Sequence, residues 1–211
     1  KQRQTPQVQV QTVRLSFGTD DTSDVTPLTI NNLEKIKRLV PDSTFQCLSA
    51  LAQSINALNQ QNFQTAAQVL QNNNCTELTD YRDFYLAEAL SQLGQYPEAL
   101  AYLSLPATIQ KKIDVDKFWL RAKILAFRGD AQQLMREIVW FNKFKKQDVF
   151  ASVKSDYYSG LAQYLAGQRK AAFASFYKVF VLRAGTEFDD KILLVLQARN
   201  DSIKDFMSDA A

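Results

Sequence analysis

Apolar and polar positions alternate weakly at the start of the chain, at Val8, Val10, Val13, Leu15 and Phe17, a pattern that predicts a short extended segment. Turn formers and three aspartates follow between Gly18 and Pro27. Residues 1–26 therefore read as a polar tether or edge strand. A helix is expected from near Pro27 or Thr29 through Leu33, Ile36 and Val40, stopped by Pro41. From Asp42 onward the pattern becomes helical and repeats. Glycine interrupts three helical stretches, in QLGQYPEAL at Gly94, FRGDAQQLM at Gly129 and LAGQRKAAF at Gly167. An earlier break, NQQNFQTAA, carries Gln61 at that position, and the four marks are 33, 35 and 38 residues apart.

The phase around these marks agrees as well as the period. Seven residues before each stands Ser54, Ala87, Ala122 or Gly160, and five after each stands Ala66, Ala99, Leu134 or Ala172. Antiparallel helices approach closely only where side chains are small, so each set marks one helix crossing. The glycine serves the turn between the helices, where a left-handed backbone is otherwise costly. Leu70, Leu103 and Phe176 are placed to fill the gap to the following hairpin.

Two segments carry a family resemblance. LAEALSQLGQYPEALAYL (Leu86 to Leu103) resembles the tetratricopeptide consensus in its small residue, its Gly-x-Tyr turn and its following alanine. SGLAQYLAGQRKAAFASFYKV (Ser159 to Val179) is a second match, with Arg169 replacing the turn aromatic. The third repeat departs at Ala131 and Leu134, the first lacks the glycine, and Pro106 is the nearest equivalent of an inter-repeat proline. The degenerate array is also similar to the superhelical domain of bacterial lytic transglycosylases. The resemblance implies an all-α, right-handed α-solenoid of about four TPR-like hairpins over residues 27–211 with capping helices. A plain helical bundle is the competing architecture.

The resemblance also implies that the first helix of each hairpin lines a concave groove for a protein or peptide partner. Carried over by position, it points to Phe84, Glu88 and Gln92 in repeat two, Trp119 and Lys123 in repeat three, and Tyr157, Leu161 and Tyr164 in repeat four. Aromatic and long polar side chains suit such a surface. Core packing is the alternative for Phe84, Trp119 and Tyr157. Neither Phe118 and Trp119 nor Tyr157 and Tyr158 can face one way on a helix, so one of each pair is expected to be exposed.

Composition changes this picture mainly by exclusion. The 211 residues contain no histidine and two cysteines, with 46% hydrophobic residues. Ser-His-Asp and Cys-His catalysis, and zinc sites with a histidine ligand, are therefore ruled out, and two cysteines cannot form an all-cysteine zinc site. Neither a GxxxxGK[ST] loop nor a GxGxxG turn occurs. Carboxylate-only chemistry survives formally, but no catalytic glutamate motif is recognisable. A non-enzymatic protein without metal or cofactor is expected.

The net charge of +3 is small, but its distribution is uneven. Residues 77–98 hold five acids and one arginine, and residues 111–146 hold ten bases and four acids. The basic stretch ends in FNKFKKQ, where Lys143, Lys145 and Lys146 interleave with Phe141 and Phe144. Such a cluster is either an anion-binding patch or a solvated helix end whose lysines complement the carboxyl-terminal dipole. Basic residues do not recur in every repeat, which places nucleic acid last among partners.

Cys47 lies near the start of the first hairpin and Cys75 just beyond its end, so the two fall at one end of it. A disulfide, implying an oxidising compartment, and two small buried residues in a reducing cytosol are the alternatives. No apolar run is long enough to span a membrane. The chain shows no initiator methionine and no signal peptide. Its glutamine-rich start would suit a tether behind a removed signal or a lipid-modified cysteine upstream. These points favour a scaffold or adaptor in a bacterial envelope assembly, periplasmic or outer-membrane-associated, with the cytoplasm as the alternative location. The competing function is the non-catalytic superhelical part of a lytic transglycosylase, which would bind peptidoglycan. The segment Ile192 to Leu196 is too continuously apolar for full exposure and is expected to cover the last repeat, or else to dock or self-associate.

Overall fold

Gln61, Gly94, Gly129 and Gly167 all take a left-handed backbone, with φ of 59°, 76°, 72° and 77°. At each, two backbone bonds close the preceding helix in the same way. The amide of the left-handed residue donates to the carbonyl three residues back, as from Gly94 to Ser91 at 3.1 Å. The next amide donates five residues back: Asn62 to Ala57, Gln95 to Leu90, Asp130 to Leu125 and Gln168 to Gln163, at 2.8–3.0 Å. This is the Schellman arrangement, which satisfies carbonyls that the helix end would otherwise leave open. The residue that makes the second bond also precedes the next helix. Asn62 and Asp130 each accept from the backbone amide three residues on, Thr65 at 3.3 Å and Gln133 at 3.1 Å, so helix end and helix start are joined within three residues.

The computed structural model describes residue 33 and residues 36–144, 149–183 and 187–198. All regular structure among them is helical. The helices are α1 (Asp42–Asn59), α2 (Phe63–Gln71), α3 (Thr79–Gln92), α4 (Tyr96–Tyr102), α5 (Lys112–Phe127), α6 (Ala131–Asn142), α7 (Val149–Leu165), α8 (Arg169–Arg183) and α9 (Glu187–Ala198). The four turns thus join α1 to α2, α3 to α4, α5 to α6 and α7 to α8. The tether expected over residues 1–26 lies outside the described residues, as do residues 27–32, 34 and 35 of the expected helix; residues 37–40 are turn and bend, so that helix does not run through Val40 to Pro41. Leu33 and Ile36 are helical, and Leu33 is buried against Ala52 and Ile55.

The chain divides into two compact units, and the division falls within α5. Unit 1 contains α1 to α4, residues 110–111 and α5 as far as Lys117. In it α1 packs on α2, α2 on α3, and α3 on both α4 and α1. The small residues lie at the crossings: Ser54, Ala66, Ala87 and Ala99 are fully buried, and the Ser54 hydroxyl donates to the Ala66 carbonyl at 3.1 Å. Cys47 and Cys75 are joined by a disulfide, with Cα atoms 5.1 Å apart. Both are buried.

Unit 2 contains α5 from Phe118, α6, α7, α8 and α9. Its core is aromatic. Phe118 stacks on Phe141 at 4.2 Å between ring centres, and Phe173 and Phe176 are fully buried between α7, α8 and α9. Gly160 is required by that packing: a Cβ there would lie 2.5 Å from two ring carbons of Phe176 and 3.2 Å from the Ala172 carbonyl oxygen. Helix α9 covers the last hairpin with Phe188, Ile192 and Leu196, spaced four apart and buried. Leu194, on the other side of α9, is 64% exposed.

Candidate interaction grooves

Among the described residues, a groove in each unit gathers residues expected from the sequence to bind a partner. In unit 1, α1 and α3 run side by side and leave a depression of about 580 Å³ lined by Ile55, Leu58, Asn59, Gln61, Phe63, Tyr85, Glu88 and Gln92. Glu88 and Gln92 are thus brought together, one helical turn apart on α3. Phe84 does not line the groove; it is half-buried, edge-on to Tyr85 at 5.1 Å. Tyr85 takes its place. Burial, with the Glu88 charge adding to it, pushes the Tyr85 hydroxyl well above its ordinary pKa. The tyrosine is therefore a neutral hydrogen-bonding group at any physiological pH.

In unit 2 a groove of about 460 Å³ is lined by Lys123, Ala126 and Phe127 of α5, Tyr157, Tyr158 and Leu161 of α7, and Lys191 and Val195 of α9. On α5 and α9 the contributing residues follow helical spacing, so each helix presents one stripe. Lys123, Tyr157 and Leu161 were expected here. Phe127 and Lys191 were not singled out, whereas Tyr158 was expected only as one of a pair with one exposed ring and Val195 only as part of the apolar 192–196 segment. Phe127 is 69% exposed, and its place four residues beyond Lys123 and eight beyond Trp119 puts it on the same stripe. That spacing was available in the sequence. Lys191 had no such signal, because α9 lies beyond the last glycine-marked turn.

One residue expected in this groove is not in it. Tyr164 is 4% exposed and packs against Phe173 and Phe176, so it belongs to the core and cannot face a ligand. Within Tyr157–Tyr158 the more buried ring is Tyr157, at 7%, held among Tyr158, Phe176 and Phe188. Its neighbour Tyr158 is the more accessible ring. Helix rotation decides this, since adjacent residues differ by about 100°. In the other pair Phe118 is fully buried and Trp119 only partly. Trp119 stacks on Tyr158 at 5.6 Å, with the Lys154 ammonium 5.8 Å from the centre of its indole.

The basic segment is placed in part. Lys143 is exposed just past the end of α6, and its amide donates to the Trp140 carbonyl at 3.1 Å. Phe141 is 2% exposed and stacked on Phe118, so it is core and not a surface aromatic alternating with lysines. Lys145 and Lys146 lie outside the described residues. Elsewhere the basic stretch is engaged internally. Lys111 and Lys117 both bind Asp80, at 3.0 and 2.9 Å, and these bonds hold the Asp80 carboxyl below its ordinary range, Lys117 contributing most. Arg121 pairs with Glu137 at 2.7 Å.

Among the described residues no group of three or more acidic, cysteine or histidine side chains could hold a metal ion. No helix among them is long and apolar enough to cross a membrane. No protein-family model, curated protein or solved structure matches the chain.

Proposed function

We propose that the protein is a non-catalytic scaffold or adaptor, an array of TPR-like helical hairpins in a right-handed solenoid whose first helices hold a protein partner. The observation that carries this reading is the unit 2 groove. Lys123 and Leu161, each six residues before the turn glycine of its hairpin, share it with Tyr157 and the exposed ring of Phe127. An aromatic side chain left in water beside an apolar depression is the usual anchor of a protein interface. Four identical turns at repeating positions support the hairpin array. The Cys47–Cys75 bond supports an oxidising compartment, with the periplasm or outer membrane as the proposed location.

Site-specific photo-crosslinking tests this. A photoreactive phenylalanine analogue at position 127 is expected to form an adduct with one discrete protein in the native extract. The same analogue at exposed Lys178 on α8 should not. Equal adducts from both positions would sink the groove. Retention on purified peptidoglycan without any protein adduct would favour the transglycosylase-like reading instead. A Trp119→Ala, Tyr157→Ala variant is unsuitable as a probe, because both rings are packed against neighbours.

A further inference from the structure

The two grooves differ in charge, and that difference points to a partner chemistry. The unit 2 groove has an ammonium on each of two walls, Lys123 on α5 and Lys191 on α9, with Tyr157, Tyr158 and Leu161 between them. Both lysines are solvent-exposed. Lys154 adds a third positive charge on α7, over the Trp119 ring that stacks on Tyr158. Among the described residues none that lines this groove is acidic, whereas the unit 1 groove has Glu88 and no basic side chain.

The apolar surface reaches beyond the groove itself. Phe127 is 69% exposed and Leu194 is 64% exposed. Leu194 lies three residues from Lys191 and therefore near its face of α9. An occupant must cover apolar surface in the centre and meet positive charge at the edges.

We infer that the unit 2 groove binds an acidic amphipathic segment of a partner protein, one that inserts an aliphatic or aromatic side chain between carboxylates. This rests on the interaction reading above and gives it a ligand class. The apolar side chain lies against Tyr158, Leu161 and Phe127, and the carboxylates meet Lys123 and Lys191. Nucleic-acid bases could stack on these rings, but basic residues do not recur from hairpin to hairpin to track a backbone, which is why a peptide is favoured over nucleic acid. Opposite potentials set partner choice and association rate more than final affinity.

The test is a random peptide library displayed and sorted on the 211-residue chain, in parallel with a Lys123→Glu, Lys191→Glu variant. Both positions are exposed, so circular dichroism of the variant should match wild type. The wild-type pool is expected to hold at least threefold more acidic than basic residues around an aliphatic or aromatic position. Its best peptide should bind the reversed variant at least tenfold more weakly. A wild-type pool without acidic excess overturns the ligand class while leaving a protein-binding groove intact. Equal affinity for the folded reversed variant overturns the assignment to Lys123 and Lys191. A single-stranded 20-nucleotide DNA that binds more tightly than the best peptide, or a library that yields no binder, overturns the inference outright.

Discussion

Unit 1 and unit 2 are built with the same turn and held together differently. In unit 1 the crossings are made by Ser54, Ala66, Ala87 and Ala99, and the large buried side chains are leucines such as Leu51, Leu70 and Leu86. Small side chains let helices approach closely but supply little apolar area. The first hairpin is tied by the Cys47–Cys75 bond, and α5 is tied to α3 by Asp80 and two lysines. Unit 2 has no cysteine. It is filled by Phe118, Phe141, Phe173 and Phe176, each of which buries far more surface than an alanine. Its α5–α6 ion pair, Arg121 with Glu137, is mostly buried. Unit 1 thus combines small crossing residues with a covalent tie and a half-buried ion-pair cluster, where unit 2 relies on aromatic packing.

Replacing both Cys47 and Cys75 with serine tests this contrast most strongly. On the chain-entropy view, opening a loop of 28 residues should cost about 3–4 kcal/mol. Amide hydrogen exchange is expected to rise in α1 and α2 while α7 and α8 keep their protection. Uniform loss across both units would show that they do not differ in this way. Alkylation in denaturant without reductant should leave both cysteines unmodified; a mass shift on both would exclude the bond.

Exchanging the equivalent crossing residues gives the next largest effect. Gly160→Ser forces a Cβ against the fully buried Phe176, and the overpacking should cost about 1–3 kcal/mol. Ser54→Gly removes the bond to the Ala66 carbonyl and should cost about 1 kcal/mol. Denaturant melts that rank the two the other way round would mean the Phe176 ring can move aside.

The turns predict opposite signs. Gly94→Ala meets no atom within 4 Å, so only the positive φ opposes it, at about 1 kcal/mol. Gln61→Gly relieves the same conformation and should stabilise by a few tenths to about 1 kcal/mol. If both substitutions shift the melting midpoint in one direction, the four turns are not energetically equivalent.

The smallest effect is in pH. Asp80 titrates lower in the folded protein than a free aspartate, chiefly through Lys117 and then Lys111. Its contribution is complete above the unfolded value of about 4 and is lost as pH falls through the lower folded value. The carboxylate is 41% exposed, so the loss should stay under about 1 kcal/mol. An Asp80→Asn variant should flatten that part of the acid profile of unit 1. An unchanged profile would show that the two lysines do not stabilise the fold through this charge.

Much of this was legible from residue spacing because turn chemistry is local. A glycine between helical stretches, with small residues seven before and five after, locates a turn and a crossing without knowledge of the neighbours. Even Gln61 could be placed, since the register required a turn where glycine was missing. Site residues were less legible. Lys123, Leu161, Glu88 and Gln92 line grooves, but Tyr164 and Phe141 are core. One-dimensional spacing puts a residue on a helix, whereas exposure depends on rotation about the axis and on what packs against it.

The sequence by itself determined that the chain is helical, where its hairpins turn, and which residues meet at their crossings, since backbone conformation and side-chain size act over a few residues. Only the tertiary structure decided that α9 supplies one wall of the unit 2 groove, that Tyr158 is more accessible than Tyr157, and that, among the described residues, the fully buried aromatic rings lie in unit 2. Those outcomes depend on contacts between residues tens of positions apart, whose free energies are set by packing shape and not by any local preference.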